Sequence, residues 1–310
     1  MTVIAAGEAL IDLAPHGGEL RPLPGGSPFN VAVGLARLGV DTGYLGRLSC
    51  DGFGQRLRDG LSAEGVYLGL TTTTDDPTTL AVVHLDDRRQ ASYAFYLDGT
   101  SAAGLRAPLP ALPDGATLHV SLGAIGLEHP AGQALADLVL ATVGDHVRTL
   151  DPNLRPSAVT DPDAYARRMA SLVAACDLVK VSDEDLRLLY PDREVMETAA
   201  DWAASGPAAV VLTRGAEGAV AITSAGHHLD VAGREVAVVD TVGAGDAFMS
   251  GLLAGLDVRG HLDDRASLDA AVTGGALEQA LEHAVLVAAL TCTREGATPP
   301  THTEVTDAAS

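Results

Sequence analysis

The amino-acid sequence predicts an α/β protein whose central sheet is mostly parallel and covered by helices on both faces, with a small β lid beside it. Apolar runs of strand character alternate with helical patterns along most of the 310 residues, which is typical of such sheets. The lid is predicted because two β-rich segments follow each other without a helix between them. The predicted strands are residues 3–6, 117–121, 147–150, 178–181, 209–213 and 219–223, the helices are 130–142, 164–174 and 183–190, and the hairpin comprises 80–85 and 91–96.

The composition indicates a globular protein. Apolar residues make up 47% of the chain and charged residues 20%, and the length suits one large α/β domain or two smaller ones. No apolar run reaches the roughly 18 residues that a membrane-spanning helix needs, and the start of the chain lacks a basic secretory signal. Cys50, Cys176 and Cys292 are isolated, which argues against disulfides or structural zinc and predicts a cytoplasmic location.

The charge balance argues against several kinds of partner. A formal net charge of −21 disfavours nucleic acid and anionic membranes. Lys180 is the only lysine, so the Gly-Lys-Ser/Thr step of a Walker A loop is excluded, and no dinucleotide-binding glycine fingerprint is present. A phosphate-bearing ligand would therefore need Mg²⁺ and locally placed cations to offset the surrounding negative charge.

Residues 240–248, Asp-Thr-Val-Gly-Ala-Gly-Asp-Ala-Phe, predict an anion site beside a base. The β-branched residues 236–239 are expected to form a strand, and an apolar helical run opens at Asp246. Gly243 and Gly245 allow close backbone approach, and the first N–H groups of a helix have no partner inside it. Because a carboxylate is a poor phosphate ligand, Asp246 is interpreted as a base that takes a proton from an alcohol. Glycine turns between strand and helix also occur without such a function.

A second motif begins at Gly25 and Gly26. Ser27 is predicted to be the N-cap of a helix, and Pro28 suits the first helical position. Asn30 is unusual, because a polar amide in the first turn can reach back over the paired glycines. The alternative interpretation is that Asn30 is a second helix cap.

Together, these two motifs resemble the two signatures of the ribokinase/PfkB family of carbohydrate kinases. The resemblance implies the three-layer ribokinase fold, with a lid that closes over the sugar and mediates contacts in a homodimer. It also implies an ATP-dependent transfer in which Asp246 is the catalytic base. The anion hole would comprise the amides of Gly243, Ala244 and Gly245, and the sugar hydroxyls would be held by Asp12, Gly25, Gly26 and Asn30.

Three further residues are assigned around the sugar. Asp12 is predicted at the end of the first strand, where an acid could equally be solvated; in the family it binds two sugar hydroxyls. Glu8, placed within that strand, is interpreted as a structural acid. Phe95 or Tyr96 could pack on the sugar, although an aromatic residue in a hairpin more often belongs to a core.

Asn153 and Arg155 follow the predicted strand at 147–150, where they could contact the substrate or the transferring phosphate. The string around them, residues 151–156, resembles the fructokinase and 2-keto-3-deoxygluconate kinase branches of the family. Residues 292–300 resemble a fructokinase ending, which implies that they line the nucleotide pocket and help to hold a monovalent cation such as K⁺.

The nucleotide side carries the largest departure from the family pattern. The family commonly has Asn-x-x-Glu to organise Mg²⁺, whereas this chain has Ser182 and Asp185 at the aligned positions. Asp185, with Glu184 close by, is predicted to be the metal ligand. The predicted nucleotide contacts are Lys180, Ser182, Thr213, Gly215, Gly218, Thr241, Gly243 and Gly245.

The domain division follows from these assignments. The α/β core is predicted to comprise residues 1–12, 25–70 and 104–300, the last of which carries the nucleotide site. The lid is predicted to comprise residues 13–24 and 71–103, although its hairpin could equally be an edge of the main sheet. Residues 301–310 are predicted to be a polar tail.

The sequence therefore predicts a sugar kinase that converts D-fructose to fructose 6-phosphate, with a small sugar and ATP as its partners. After Phe95 and Tyr96, many members of the family continue toward an Ala-Asp pair, whereas residues 97–103 here read Leu-Asp-Gly-Thr-Ser-Ala-Ala. The acid that the resemblance leads us to expect is thus absent, which leaves the sugar open. The alternatives are 2-keto-3-deoxygluconate, another ketose or pentose, and a nucleoside. A keto acid would need a cation, for which Arg88 and Arg106 are the lid-side candidates. A regulator that binds sugar or nucleotide without catalysis is the alternative from another class.

Overall fold

Side chains that alternate between the two faces of the first strand show why the sheet has a core on each side. Val3 and Ala5 pack into one hydrophobic cluster, whereas Ile4 and Ala6 pack into the other, and all four are fully buried. A strand buried on both faces needs apolar residues at every position.

The computed structural model describes residues 3–85 and 91–309. Its strands are β1 (Val3–Ala6), β2 (Leu10–His16), β3 (Glu19–Gly25), β4 (Thr42–Leu45), β5 (Arg47–Ser49), β6 (Thr72–Thr74), β7 (Leu80–Leu85), β8 (Ala91–Tyr96), β9 (Thr117–Ser121), β10 (Arg148–Asp151), β11 (Leu178–Ser182), β12 (Ala209–Thr213), β13 (Gly218–Thr223) and β14 (His228–Ala232). Its helices are α1 (Ser27–Arg37), α2 (Gly52–Ala63), α3 (Pro130–Ala141), α4 (Pro162–Ala174), α5 (Asp183–Leu189), α6 (Val195–Ala204), α7 (Ala244–Asp257), α8 (Arg265–Thr273), α9 (Ala276–Cys292) and α10 (His302–Ala309).

The main sheet has eight strands in the order β14-β13-β12-β11-β10-β9-β1-β4. The strands from β4 to β12 are parallel, and β13 and β14 complete the sheet in antiparallel pairing. Helices α1, α2, α7, α8 and α9 supply buried residues to one face, and α3, α4, α5 and α6 supply them to the other. The predicted three-layer α/β fold is confirmed, and the predicted strands and helices between residues 3 and 223 begin and end within two residues of those in the structure.

The lid is a separate four-stranded sheet in the order β3-β2-β7-β8. Its hairpin pairs β7 with β8 as predicted, and the turn at 86–89 lies outside the described residues, as does Arg88. The lid begins at Leu10, earlier than the predicted residue 13. Asp12 therefore belongs to β2 in the lid, and the prediction that it ends the first strand is wrong, because β1 already ends at Ala6. Glu8 likewise lies in the connection between these strands.

Two other segments differ from the prediction. Residues 236–239 form no strand; Val238 and Val239 are exposed, and the amide of Val239 donates to the carbonyl of Cys292. The predicted polar tail contains α10, because Thr301 and Glu304 cap it reciprocally: the Thr301 amide donates to Glu304 Oε2 at 2.7 Å and the Glu304 amide to Thr301 Oγ1 at 3.4 Å. Within the described ranges, no helix combines the length and apolar character required to cross a membrane.

Candidate active site

The carboxyl ends of the parallel strands and the first turns of α1 and α7 meet at one edge of the main sheet, where ligands bind in open α/β sheets. α7 begins after Gly243, whose φ of +77° favours glycine. A side chain at that position would also place its Cβ 2.5 Å from the Cβ of Ala297. The glycine therefore permits both the turn and the close packing of residues 292–300 behind it.

The backbone at this turn can bind an anion. In the described part of the chain the amides of Gly243 and Gly245 donate to no protein acceptor, whereas the amide of Ala244 donates to the carbonyl of Thr241 at 3.2 Å. The predicted anion hole therefore has two free donors and not three, because the Ala244 amide is used in the hydrogen bond that closes the turn. The free amides lie at the positive end of the α7 dipole.

Lys180 adds a full positive charge to this site. Its ammonium is buried and pairs with Asp151 at 2.9 Å. A Cβ on Gly245 would lie 3.3 Å from Lys180 Nζ, so the ammonium lies directly beside the first turn of α7. Burial by itself would lower the pKa of Lys180, but the nearby carboxylates, Asp151 first among them, raise it above its ordinary value. The ammonium is therefore charged at neutral pH.

Asp246 lies in the first turn of α7 and is only partly exposed. Asn30 Nδ2 donates to its Oδ2 at 2.8 Å, across 216 residues of sequence. Burial raises the pKa of Asp246, and the polar side chains of Ser27 and Asn30 act in the opposite direction. A carboxylate held beside an anion site can accept a proton from a hydroxyl that approaches the bound phosphoryl group.

Asp12 reaches the same site from the lid. Burial raises its pKa to about 6; the charge of Arg155 lowers the pKa of Asp12 and that of Asp246 raises it further. Gly25 has no room for a Cβ, which would meet the carboxylate of Asp12. Gly26, with a φ of +99°, is the N-cap of α1, so the predicted N-cap, Ser27, is already the first helical residue and makes no capping bond.

The lid presents two aromatic side chains on the face that carries Asp12. Asp12 pairs with Ala81 and Ala81 with Phe95, so these three side chains share one face. Tyr96 follows on the opposite face and is 61% exposed. Tyr93 was missed in the sequence although it lies two residues before Phe95; their rings stack 6.0 Å apart. Burial raises the pKa of Tyr93, and so do the charges of Asp12 and Asp246.

Asn153 and Arg155 leave the end of β10 toward this site. Asn153 has a φ of 43°, which is uncommon for a residue with a side chain, and its amide donates to Asp151 Oδ1 at 3.2 Å. Arg155 donates to the carbonyl of Leu154 at 3.1 Å. Within the described ranges, no carboxylate lies within ion-pairing distance of Arg155, so its guanidinium is available to a ligand.

The predicted nucleotide residues divide into two groups. Thr213, Gly215 and Thr241 are partly or fully exposed around the ends of β12 and α7. Gly218 is buried, has a φ of +95°, and has no room for a Cβ beside the carbonyl of Val231. The shape of the β12–β13 connection therefore explains Gly218, and the structure does not place it as a nucleotide contact.

The predicted metal ligand, Asp185, already makes hydrogen bonds with the backbone. Asp185 and Ser182 form a capping box on α5. Both oxygens of Asp185 accept backbone amides: Oδ1 accepts from Leu154 at 3.0 Å and Oδ2 from Ser182 at 3.4 Å. Glu184 is exposed one residue earlier. The described residues contain no cluster of three acids, histidines or cysteines able to hold a metal ion.

Two acids stabilise the loops around the site. Glu8 accepts the amides of Ala124 and Ile125, each at 3.1 Å, and burial raises its pKa to about 7, in agreement with a structural role. Asp240 was missed as a site residue in the sequence: its Oδ1 accepts from the amide of Val242 at 3.0 Å and its Oδ2 from that of Gly296 at 2.8 Å. It thereby joins the glycine turn to residues 292–300.

Comparison with known proteins gives a consistent result. The profile of the family described as pfkB family carbohydrate kinase matches residues 3–304. A fructokinase from Rhizobium leguminosarum bv. trifolii is 38% identical over 277 residues, which cover 86% of this chain and 84% of the relative.

Solved structures agree with the sequence relatives. The fructokinase of Vibrio cholerae O395 in its form with fructose, ADP and calcium ion has a TM-score of 0.85 and 29% identity over 99% of this chain and 98% of that chain. The aminoimidazole riboside kinase of Salmonella enterica, complexed with aminoimidazole riboside and an ATP analogue, has a TM-score of 0.82 and 25% identity over all of both chains. The chain thus belongs to the pfkB family of carbohydrate kinases and is a phosphotransferase with an alcohol group as acceptor.

Proposed function

We propose that this enzyme transfers the γ-phosphate of ATP to the primary hydroxyl of D-fructose, forming fructose 6-phosphate, with Asp246 as the base. The observation that carries the proposal is the position of the Asp246 carboxylate, in the first helical turn after the free amides of Gly243 and Gly245 and hydrogen-bonded to Asn30 at 2.8 Å. A base and an anion site are thereby adjacent on one rigid helix.

In the proposed mechanism, the carboxylate of Asp246 accepts the proton of the hydroxyl as that oxygen bonds to the γ-phosphorus. The bond between the γ-phosphorus and the oxygen of ADP breaks in the same step. Phosphoryl transfer passes through a loose transition state, so positioning and charge stabilisation contribute more than base strength. The amides of Gly243 and Gly245, the α7 dipole and the ammonium of Lys180 would stabilise negative charge on the transferring group.

The sugar would be held from two sides. Asp12 from the lid and Asn30 from α1 offer oxygen and nitrogen atoms to hydroxyls, and Tyr93 and Phe95 offer apolar faces. Gly25 leaves room for the carboxylate of Asp12 and Gly26 for the backbone of Glu8, and Asn153 and Arg155 approach from the end of β10. Closure of the lid would exclude water, which otherwise competes with the sugar as acceptor.

ATP fits the exposed edge formed by Thr213, Gly215, Thr241 and the glycine turn. When bound with ATP, Mg²⁺ would neutralise part of the phosphate charge; it commonly binds through substrate phosphates and water with only one or two carboxylates. Of the predicted ligands, Glu184 is the exposed one. We further propose that K⁺ binds near the segment 292–300, because a double mutant of the Vibrio cholerae fructokinase is described with fructose, ADP and potassium ion.

Fructose is favoured over the alternatives by the relatives named above. A nucleoside-like acceptor is the second candidate, because the Salmonella enterica structure contains aminoimidazole riboside. A keto acid is less favoured, because its carboxylate would need a cation and the lid-side candidate Arg106 is used elsewhere. Arg106 donates to the carbonyls of Ala103 and Leu105, and it lines a separate cavity of about 210 Å³ with Arg47.

The deciding experiment measures ATP consumption with Mg²⁺ against fructose, ribose, tagatose, 2-keto-3-deoxygluconate, adenosine and aminoimidazole riboside. We expect kcat/KM for fructose to exceed that of each other acceptor at least about tenfold, a difference of about 1.4 kcal/mol in transition-state binding. Another preferred acceptor would overturn the substrate. No turnover of any acceptor by folded protein that binds ATP would favour the non-catalytic regulator.

The proposed base is tested by Asp246→Asn, which keeps the size of the side chain but removes its basicity. We expect kcat to fall at least about 10²-fold, in line with the loss of general base catalysis, while fructose binding measured by calorimetry persists. Near-normal turnover by this variant would overturn the role of Asp246.

We also propose that the enzyme is a cytoplasmic homodimer assembled through the lid. Tyr96 on the outer lid face and Leu20 in β3 are 61% and 52% exposed. Sedimentation should give the mass of a dimer, and Tyr96→Arg should shift it to that of a monomer; an unchanged mass would exclude this interface.

A further inference from the structure

The turn that follows β10 is held by two carboxylates. Residues 152–155 lie outside the strands and helices, so their buried amides need other acceptors. The amide of Asn153 donates to Asp151 Oδ1 at 3.2 Å, and the amide of Leu154 donates to Asp185 Oδ1 at 3.0 Å, across 31 residues of sequence. The side chain of Leu154 is buried in the core. The turn is thus fixed by an acid on its own strand and by an acid on α5.

Asp185 reaches this turn because its two carboxylate oxygens bind different segments. Its Oδ2 accepts from the amide of Ser182 at 3.4 Å, and its own amide donates to Ser182 Oγ at 3.0 Å, which completes the capping box of α5. The capping box uses one carboxylate oxygen, so Oδ1 remains for Leu154. Strands β10 and β11 are parallel neighbours, and the segments that follow them therefore meet at the same edge of the sheet.

Arg155 folds back on the peptide group that Asp185 holds. Its Nη1 donates to the carbonyl of Leu154 at 3.1 Å and to that of Asn153 at 3.4 Å. A guanidinium has five N–H donors in a fixed plane, and within the described ranges those on Nε and Nη2 have no protein acceptor. Asn153 has a φ of 43°, a conformation that persists where surrounding contacts hold it. The conformation of this turn therefore sets the direction of the free donors of Arg155.

We propose that Asp185 is a positioning residue for Arg155: by binding the Leu154 amide it fixes the turn after β10 and orients the free guanidinium donors toward the substrate or the transferring phosphate. This inference rests on the proposed function, in which Arg155 approaches the bound substrates from the end of β10. Asp185 binds the backbone of the turn, so it acts through Arg155. This role needs an acceptor oxygen at the right reach, whereas a direct Mg²⁺ ligand would need the charge of a carboxylate.

The test compares Asp185→Ala with Asp185→Asn by kcat/KM for the preferred acceptor over a series of Mg²⁺ concentrations. Asp185→Ala leaves the Leu154 amide without an acceptor, so we expect kcat/KM to fall at least about tenfold, the scale of one unmade buried hydrogen bond. Asp185→Asn keeps an oxygen at the same reach and should recover most of this loss. The Mg²⁺ concentration that gives half-maximal activity should be the same in both variants and in the unsubstituted enzyme.

A double-mutant cycle tests whether Asp185 acts through Arg155. Arg155→Met removes the guanidinium and should lower kcat/KM. Adding Asp185→Ala to it should have little further effect, because the group that Asp185 orients is already absent. Thermal unfolding shows whether each variant is folded. If Asp185→Ala does not fold, Asp185→Ser, which is also too short to reach Leu154 but leaves a polar group, gives the same comparison.

Asp264→Ala is the matched control for the loss of a helix cap. Asp264 Oδ1 accepts from the amide of Ser267 at 2.7 Å at the start of α8, and α8 supplies none of the predicted site residues. This variant should lower the Tm and leave kcat/KM unchanged, so a loss of activity in Asp185→Ala is separated from a general loss of helix stability.

Three outcomes would overturn the inference: unchanged kcat/KM in Asp185→Ala, equal losses in Asp185→Ala and Asp185→Asn, or fully additive losses in the double variant. Equal losses together with a raised Mg²⁺ requirement would make Asp185 a metal ligand. If Arg155→Met is impaired and one of these outcomes is found, this inference alone fails. If Arg155→Met retains near-normal kcat/KM, the proposed role of Arg155 fails and the inference fails with it.

Discussion

Strands β10 and β11 carry a buried ion pair at each end, and the two pairs differ in what surrounds them. At the amino end, Arg148 donates through Nε and Nη2 to Asp177, both at 2.9 Å, and Arg265 adds a third contact at 3.1 Å. At the carboxyl end, Lys180 makes one contact with Asp151, and its ammonium lies beside the glycine turn.

The difference separates a structural pair from a functional one. Asp177 is bound by two guanidinium groups and by the backbone amide of Arg148 at 2.8 Å, so its charge is neutralised by the fold itself. Lys180 is neutralised by a single carboxylate and lies next to free amides, so the carboxyl end retains capacity to bind an anion. One pair of strands thus combines a stabilising ion pair at one edge of the sheet with the proposed ligand site at the other.

The largest expected effect on stability comes from breaking the amino-end pair. Asp177→Ala leaves Arg148 buried without its partner, and removal of one member of a buried pair costs about 3–5 kcal/mol. Urea unfolding should show this loss, while kcat of the folded enzyme changes little. Asp201→Ala breaks an exposed pair with Arg193 and should cost much less, because water screens exposed ion pairs. Equal losses in the two variants would contradict the structural role of Asp177.

Removal of the carboxyl-end pair should lower activity and leave stability almost unchanged. The double variant Lys180→Met with Asp151→Asn removes both charges, so no unpaired buried charge remains and stability should change little. Loss of the ammonium beside the anion site should lower kcat about 10²-fold, as is typical when one preorganised group that stabilises the transition state is removed. Unaltered kcat, or a collapse of stability with normal activity, would show that this pair is structural as well.

A smaller effect is expected from Asp12, which approaches the carboxyl end from the lid. Its pKa is about 6 because burial disfavours the charged form, so it is ionised above this value and becomes protonated as the pH falls through it. Fructose affinity should therefore weaken below about pH 6. Calorimetry on Asp246→Asn measures fructose affinity without catalysis. The charge of Asp246 raises the pKa of Asp12, so in this variant the affinity should weaken at a slightly lower pH. An Asp12→Asn background should remove the pH dependence; affinity that is flat between pH 5 and 8 in Asp246→Asn would contradict the assignment.

Local patterns predicted the elements of this fold well, because strand and helix periodicities are properties of neighbouring residues. The prediction failed where a neighbour distant in sequence decided the conformation. Residues 236–239 have the composition of a strand, yet Val239 bonds to Cys292 at the end of α9. The failure at α10, in contrast, was local: Thr301 and Glu304 are three residues apart and cap the helix, but the segment was predicted to be a polar tail.

The residues of the candidate site also divide into those that local patterns predicted and those that they did not. Asp246, Asn30, Asp12 and the glycine turn were predicted from motifs and the family resemblance. The metal assignment to Asp185 stays a prediction, and the structure adds that this carboxylate also caps α5 and accepts the amide of Leu154. Tyr93 was missed because it lies outside both motifs. Asp240 opens the motif at 240–248, but its role was missed because its contact with Gly296 spans 56 residues.

The sequence by itself determined the layers of the fold and the two motifs, and it predicted Asp246 as the base, because each depends on residue types at short spacing or on the family resemblance. Only the tertiary structure decided that Asn30 binds Asp246, that Lys180 lies beside Gly245, and that the amide of Ala244 is already used. These contacts join residues from different strands and helices, and their distances depend on how the packed layers bring the strand ends together. No pattern along the chain encodes such a distance.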